Sequence, residues 1–239
     1  MTMQLTKQLL TGAITVAAIL VSGGARAEWG GKGELGLVLA RGNTESETVS
    51  AKADLTGKFE KWQHLVGFSV LQTRSAGVQT GDRYELHGQS DYAITERAYA
   101  LGSARYDNDQ FSPYSYQVVG AVGVGYRFFN ADEIHLSVEV GAGYRKSKDR
   151  LLRTTDSETI ARGALNYDQK LTETTSVYDK LLVESGSSNT YIQNEAGVKV
   201  AINSSLALSV GYAVRYNTDV IAPAKHTDEL ITAALVFSY

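Results

Sequence analysis

From residue 30 onward the chain alternates apolar and polar positions with a period of two, and no stretch carries the 3.6-residue period of an amphipathic helix. Residues 49–59 put Val49, Ala51, Ala53, Leu55, Gly57 and Phe59 on one face and Ser50, Lys52, Asp54, Thr56 and Lys58 on the other. In 134–145, Ile134, Leu136, Val138, Val140, Ala142 and Tyr144 alternate with His135, Ser137, Glu139, Gly141, Gly143 and Arg145. Successive side chains of a strand leave opposite faces, so each stretch reads as a ribbon with one apolar and one hydrophilic side. The pattern predicts twelve strands, near residues 30–41, 46–59, 62–74, 82–94, 98–107, 114–128, 133–146, 157–169, 174–185, 189–202, 206–217 and 227–239. The ninth is the least regular. Most exceed the five or six residues usual in soluble sheets and reach the roughly 9–11 that a tilted strand needs to cross hydrocarbon.

The connections alternate in length as well. Glu60-Lys61, Thr95-Glu96-Arg97, Asn130-Ala131-Asp132, residues 170–173 and Asn203-Ser204-Ser205 are short. Residues 75–81, 108–113, 147–156 and 218–226 are longer and rich in Gly, Asp, Ser and Pro. Short turns at one end and longer loops at the other, with an even strand count, form the arrangement of an outer-membrane barrel. In lipid only a closed sheet satisfies every backbone polar group. The expected fold is therefore all-β, a 12-stranded antiparallel transmembrane β-barrel of the bacterial outer membrane with both termini on the short-turn side.

The start of the chain changes where this barrel begins. Lys7 precedes an apolar run over residues 9–21, and Ala25-Arg26-Ala27 puts small residues at −3 and −1 before Glu28. That is the layout of a secretory signal peptide, with cleavage expected after Ala27 and the barrel domain occupying 28–239. Thirteen helical residues reach only about 20 Å, short of a roughly 30 Å hydrocarbon core. Removing Lys7 and Arg26 leaves 21 basic against 26 acidic residues, a charge of −5. Such a balance gives no reason to expect nucleic acid as a partner. With no Cys in the chain, disulfides, thiolate metal sites and cysteine nucleophiles are excluded.

Aromatic residues cluster towards the strand ends. Tyr92, Tyr99, Tyr126, Phe128 and Tyr167 fall near short turns, and Tyr106, Tyr116, Tyr144, Tyr191 and Tyr216 near the longer loops, as two interfacial girdles would require. The last strand carries Ile231, Ala233, Leu235, Phe237 and Tyr239 on one face and ends on the aromatic. This resembles the C-terminal signature read by the outer-membrane barrel assembly machinery, so Phe237 and Tyr239 are the expected contacts with that partner. The lipid bilayer is the other expected partner. The opening Trp29-Gly30-Gly31-Lys32-Gly33-Glu34-Leu35-Gly36, the Arg41-Gly42-Asn43-Thr44 tip, Val122-Gly123-Val124-Gly125-Tyr126-Arg127 and Val140-Gly141-Ala142-Gly143-Tyr144-Arg145 resemble the YdiY-like salt-induced outer-membrane proteins, a family of uncharacterised function. The resemblance implies an outer-membrane barrel linked to salt or osmotic conditions and brings no catalytic residues.

The hydrophilic faces hold both signs of charge. Glu34, Asp54, Glu85, Asp91, Glu139, Glu158 and Glu195 stand against Lys52, Lys58, Arg105, Arg127, Arg145, Arg162, Lys199 and Arg215. Twelve strands lie between small barrels filled by side chains and sixteen-stranded porins with an aqueous channel. The expected activity is therefore non-catalytic: passive passage of ions or very small solutes, with Arg127, Arg145, Arg162, Glu139 and Glu158 on neighbouring strands as the residues that line the lumen. Gly123, Gly125, Gly141 and Gly143 share the inward face and would let a bulky group cross from the far wall. The enzymatic alternative is a lipid hydrolase using His135 and Ser137. Residues two apart on a strand have Cα atoms roughly 6.5–7 Å apart, and both would face the lumen rather than lipid, so the alternative ranks second. The four His form no zinc spacing, Asp107-Asn108-Asp109 would bind Ca²⁺ weakly at most, and no cofactor is expected. A surface adhesion role ranks last, because the loops are short and lack aromatic clusters.

Overall fold

The computed structural model describes residues 28–40, 46–220 and 225–239. The expected signal peptide and the Arg41-Gly42-Asn43-Thr44 tip lie outside the described residues. The chain forms twelve strands: β1 Glu28–Ala40, β2 Ser46–Phe59, β3 Trp62–Ser75, β4 Val78–Ala93, β5 Ala98–Asp109 and β6 Tyr114–Ala131. They continue with β7 Ile134–Asp149, β8 Thr155–Lys170, β9 Thr175–Ser185, β10 Thr190–Ala201, β11 Leu206–Asn217 and β12 Thr227–Ser238. Each strand pairs antiparallel with its sequence neighbours, and β1 pairs with β12 to close the barrel. The closing ladder joins Lys32–Gly36 to Ala234–Ser238. Gly31 and Tyr239 extend it, exchanging backbone hydrogen bonds of 3.2 and 3.1 Å.

Register fixes which face meets which medium, because a one-residue slip would exchange the two sets of side chains. Leu35, Leu37, Val49, Leu86, Val122, Val124, Val140, Val210, Ile231 and Leu235 are large, apolar and exposed, as lipid-facing positions must be. Their immediate chain neighbours Glu34, Ser50, Glu85, Ala121, Glu139, Ser209, Ala234 and Val236 are buried in the lumen. The interior of this molecule thus carries many of its charged side chains, with Leu101, Val119, Ile160 and Val236 packed among them, while the exposed large apolar side chains form the outer surface.

Strand lengths depart from the sequence expectation at the loop side. Residues 78–81, expected in a loop, open β4, and only Ala76-Gly77 connects it to β3. Both take left-handed backbone angles, φ 48° and 78°, the combination that a two-residue turn requires if the strands are to keep their twist. At the loop side β5 and β7 also run past their expected ends, to Asp109 and Asp149, and β8 starts earlier, at Thr155, whereas β6 is extended at the turn side, to Ala131. Polar residues there satisfy period-two pairing without an apolar face, so hydropathy does not mark them. The asymmetry between the two ends therefore lies in these protruding hairpins as much as in loop length.

The aromatic belts are present but thinner than expected. At the loop side Tyr84, Tyr106 and Tyr116 stack along three adjacent strands, with ring centroids 5.9 and 6.1 Å apart. At the turn side Trp62 and Tyr92 meet at 5.0 Å, Tyr126 and Phe128 at 5.0 Å, and Phe237 and Tyr239 at 6.4 Å. Tyr99 and Tyr191 do not belong to the belts. They are 2% and 4% exposed and point inward. Each shares its strand parity with charged residues, Tyr99 with Arg105 and Asp107, Tyr191 with Glu195 and Lys199, and parity overrides proximity to a strand end.

Candidate functional site

The lumen-facing side chains organise into layers. On the turn side of the middle, Glu139 accepts hydrogen bonds from Arg162 (2.8 Å), Gln89 (2.9 Å) and the Tyr99 hydroxyl (2.9 Å). Arg127 lies over the Tyr99 ring at 4.3 Å. The ring itself lies where a side chain on Gly125 would project, so this glycine makes room for it. The ring comes from the directly paired residue of the adjacent strand, not from the far wall that the inward glycines suggest. At the loop side Arg145, 1% exposed on its side chain, donates to Glu158 at 3.0 and 2.7 Å and to the Asn189 carbonyl. Asn189 in turn ties the loop after β9 to Asn217, Thr218 and Asp219. The five residues singled out from sequence therefore fall into two separate networks, Arg127–Glu139–Arg162 and Arg145–Glu158.

Between them lies a third layer that the sequence only partly marks. Arg83 pairs with Glu85 (3.0 Å) and with Asp107, and Arg105 reaches from β5 to Glu184 on β9 while lying 4.8 Å over the Tyr191 ring of β10. Arg105 to Glu184 and Lys52 to Glu195 (2.7 Å) link strands that are not neighbours, so they span the lumen rather than follow its wall. Arg83, Asp107, Glu184 and Lys180 were not foreseen. Arg83 and Asp107 lie inside the expected strands, near their loop ends, where period-two spacing does not say which charges pair. Lys180 and Glu184 sit on β9, where outward Asp179 and inward Leu182 spoil the alternation. Asp179 is held on the outer face by the Asn194 amide at 2.5 Å.

Two chambers remain. The outer, about 500 Å³, is lined by Thr48, Arg83, Asp107, Tyr191, Arg215, Asp228 and residues of the loops. The inner, about 330 Å³, is lined by Lys52, Asp54, Glu139, Arg162, Lys180 and Glu195 among others. Arg105 and Arg215 line both, so the layer that carries them is the septum between the chambers. Buried nitrogens without a partner gather here: Nε of Arg83, Arg105 and Arg215. A buried unsatisfied donor costs about 1–3 kcal/mol, more when charged, so these atoms are poised to meet water or a solute.

No hydrogen bond joins His135 to Ser137 among the described residues; His135 is exposed at the start of β7. The Ser–His contact that does form is between His64 and Ser90, at 2.9 Å on the outward face, where Trp62 stacks on the imidazole at 5.7 Å. The two residues are direct cross-strand partners, and none of the ion pairs among the described residues includes His64. The contact satisfies two polar side chains in the aromatic belt and does not complete a catalytic triad.

The fold is shared with a solved porin. The NanC porin matches with a TM-score of 0.54 at 8% identity, over 88% of this chain and 98% of that one. The translocator domain of the autotransporter NalP from Neisseria meningitidis aligns over 100% of this chain and 96% of its own, with a TM-score of 0.48 and 12% identity. In sequence, the Escherichia coli (strain K12) protein "Uncharacterized protein YdiY" is 29% identical over 214 residues, covering 85% of this chain and 80% of that protein. The model of the family described as "Protein of unknown function, DUF481" matches residues 33–239. This outer-membrane β-barrel belongs to the DUF481 family, and it is YdiY-like.

Proposed function

We propose that the barrel is a passive channel through which ions and very small solutes cross the outer membrane. The observation that carries the reading is the pair of stacked, charge-lined chambers of about 500 and 330 Å³, parted only by side chains. No backbone element occludes the lumen among the described residues. The septum of Arg105, Glu184 and Tyr191 is made of side chains alone, so it narrows the path where a strand or helix would block it. Arg145 with Glu158 and Arg162 with Glu139 hold wall charges in fixed pairs, and Arg127 adds a charge over the Tyr99 ring, which gives a lumen of both signs and a weak overall preference. Planar-bilayer recording of purified protein tests this. Discrete conductance steps are expected, and their absence from a preparation whose gel migration changes on boiling would overturn the channel.

Export and assembly belong to the same proposal. The chain is cleaved after Ala27, inserted in the lipid bilayer, and recognised by the barrel assembly machinery through Phe237 and Tyr239. The intact mass of protein from outer-membrane fractions would report the cleavage. A Tyr239 deletion that assembles at the normal rate would remove the recognition role. The resemblance to salt-induced proteins supports a role under osmotic stress. A deletion strain indistinguishable from its parent across salt concentrations, in growth and in solute uptake, would remove that role.

A further inference from the structure

Pairing in the inner chamber is uneven. Glu34 has Lys32 at 3.7 Å, Glu139 has Arg162, Glu184 has Arg105, and Glu195 has Lys52 at 2.7 and 2.8 Å. Two cations lining the same chamber, Lys180 and Arg215, have no carboxylate within 4.0 Å among the described residues.

They flank one spot. Lys180 on β9 is the direct partner of Glu195 on β10, and Arg215 on β11 is the direct partner of Gln193. Directly opposed Cβ atoms lie about 4.5–5.5 Å apart, and diagonal neighbours about 7–8 Å. Glu195 therefore has Lys180 beside it and Arg215 one diagonal away, while its carboxylate is held by Lys52 from across the lumen. Glu195 is thus the shared neighbour of Lys52, Lys180 and Arg215, and only Lys52 is in ion-pair contact with it, so Lys180 and Arg215 are left without a close partner of their own. Asp228, the cross-strand partner of Arg215, lines only the outer chamber and forms no ion pair with it. Arg215 also keeps its buried Nε without an acceptor.

We infer that the inner chamber binds a small anion between Lys180 and Arg215. The ligand chemistry is a single negative charge that accepts hydrogen bonds, as in a halide or a small carboxylate. The site rests on the charged lumen described above and gives the proposed channel its sign: the anion is the permeant that pauses there. The two unpaired cations draw the ion in, and the neighbouring Glu195 keeps the hold weak enough to release it.

Bromide is the probe. Crystals of the full mature barrel soaked in bromide should give an anomalous peak between Lys180 Nζ and the Arg215 guanidinium. The Lys180→Gln/Arg215→Gln double variant should lose that peak, and Arg215→Lys, which keeps the charge, should retain it. Boiling-dependent gel migration verifies that each variant is folded. No peak in the wild type, or an undiminished peak in the double variant, overturns the site. Recordings in a salt gradient provide a separate readout. The wild type should pass chloride in preference to potassium, and the double variant should lower that permeability ratio to one or below. A bromide peak without conductance would retain the site and remove the channel. Conductance with no bromide peak would do the reverse.

Discussion

Glu139 on β7 accepts hydrogen bonds from three other strands, β4, β5 and β8, and its removal should be costly in a way that depends on what replaces its partner. Its carboxylate is 3% exposed and accepts from Arg162, Gln89 and Tyr99, while Arg162 is 10% exposed. Glu139→Ala leaves Arg162 as an unmatched, largely buried cation and strands two further donors. Breaking a buried pair from one side costs about 3–5 kcal/mol, and that is the expected loss. Glu139→Gln keeps an acceptor and removes only the charge, so about 1.5–3 kcal/mol is expected, the range for a hydrogen bond to a charged group. Glu139→Met/Arg162→Met removes both charges together and should recover most of the single-variant loss. Equilibrium urea unfolding in lipid vesicles, followed by the fluorescence of Trp29 and Trp62, measures all three. A Glu139→Ala loss below about 1 kcal/mol, the scale of a solvent-exposed ion pair, would refute the buried network. So would a double variant as unstable as the sum of its parts.

Three other perturbations have defined outcomes. Gly125→Leu must displace the Tyr99 ring, and a loss of about 1–3 kcal/mol should appear in the same unfolding assay; an unchanged urea midpoint would mean that the ring does not cross there. Glu184→Gln releases Arg105 from its cross-lumen partner, so single-channel conductance should rise by a fewfold, and a fall would place the constriction elsewhere. Asp179→Leu/Asn194→Leu replaces a polar pair on the outer face with apolar side chains and should stabilise the barrel in vesicles by about 1 kcal/mol; destabilisation would show that the pair meets something other than lipid.

The strand pattern was legible because one face of every membrane strand must be apolar. In β2, β7 and β11 this leaves an uninterrupted alternation that needs no tertiary information. The protruding ends of β4 and β8 were not legible, since outside the membrane no face is required to be apolar. Tyr99 and Tyr191 were misplaced because aromatic residues near strand ends suit either a lipid belt or a packed lumen, and only parity with Arg105 or Glu195 distinguishes them. Opposite charges on adjacent strands, as in Arg145 with Glu158, follow from hairpin register. Contacts that cross the lumen, such as Arg105 with Glu184 and Lys52 with Glu195, depend on barrel curvature and side-chain reach. Neither is encoded in local spacing, and so the septum emerged only from the three-dimensional arrangement.

The chain has no native Cys, so single Cys probes placed along β7 report on one site each. The account rests on alternate side chains meeting alternate media, and scanning Ser137 to Ser147 in vesicles tests this most directly. Fluorophores on Val138→Cys, Val140→Cys and Ala142→Cys should be quenched by brominated acyl chains. Ser137→Cys and Ser147→Cys, on the inward face, should escape that quenching and react with a small water-soluble thiol reagent. Five positions quenched alike, or the opposite alternation, would contradict a barrel with its charges inside.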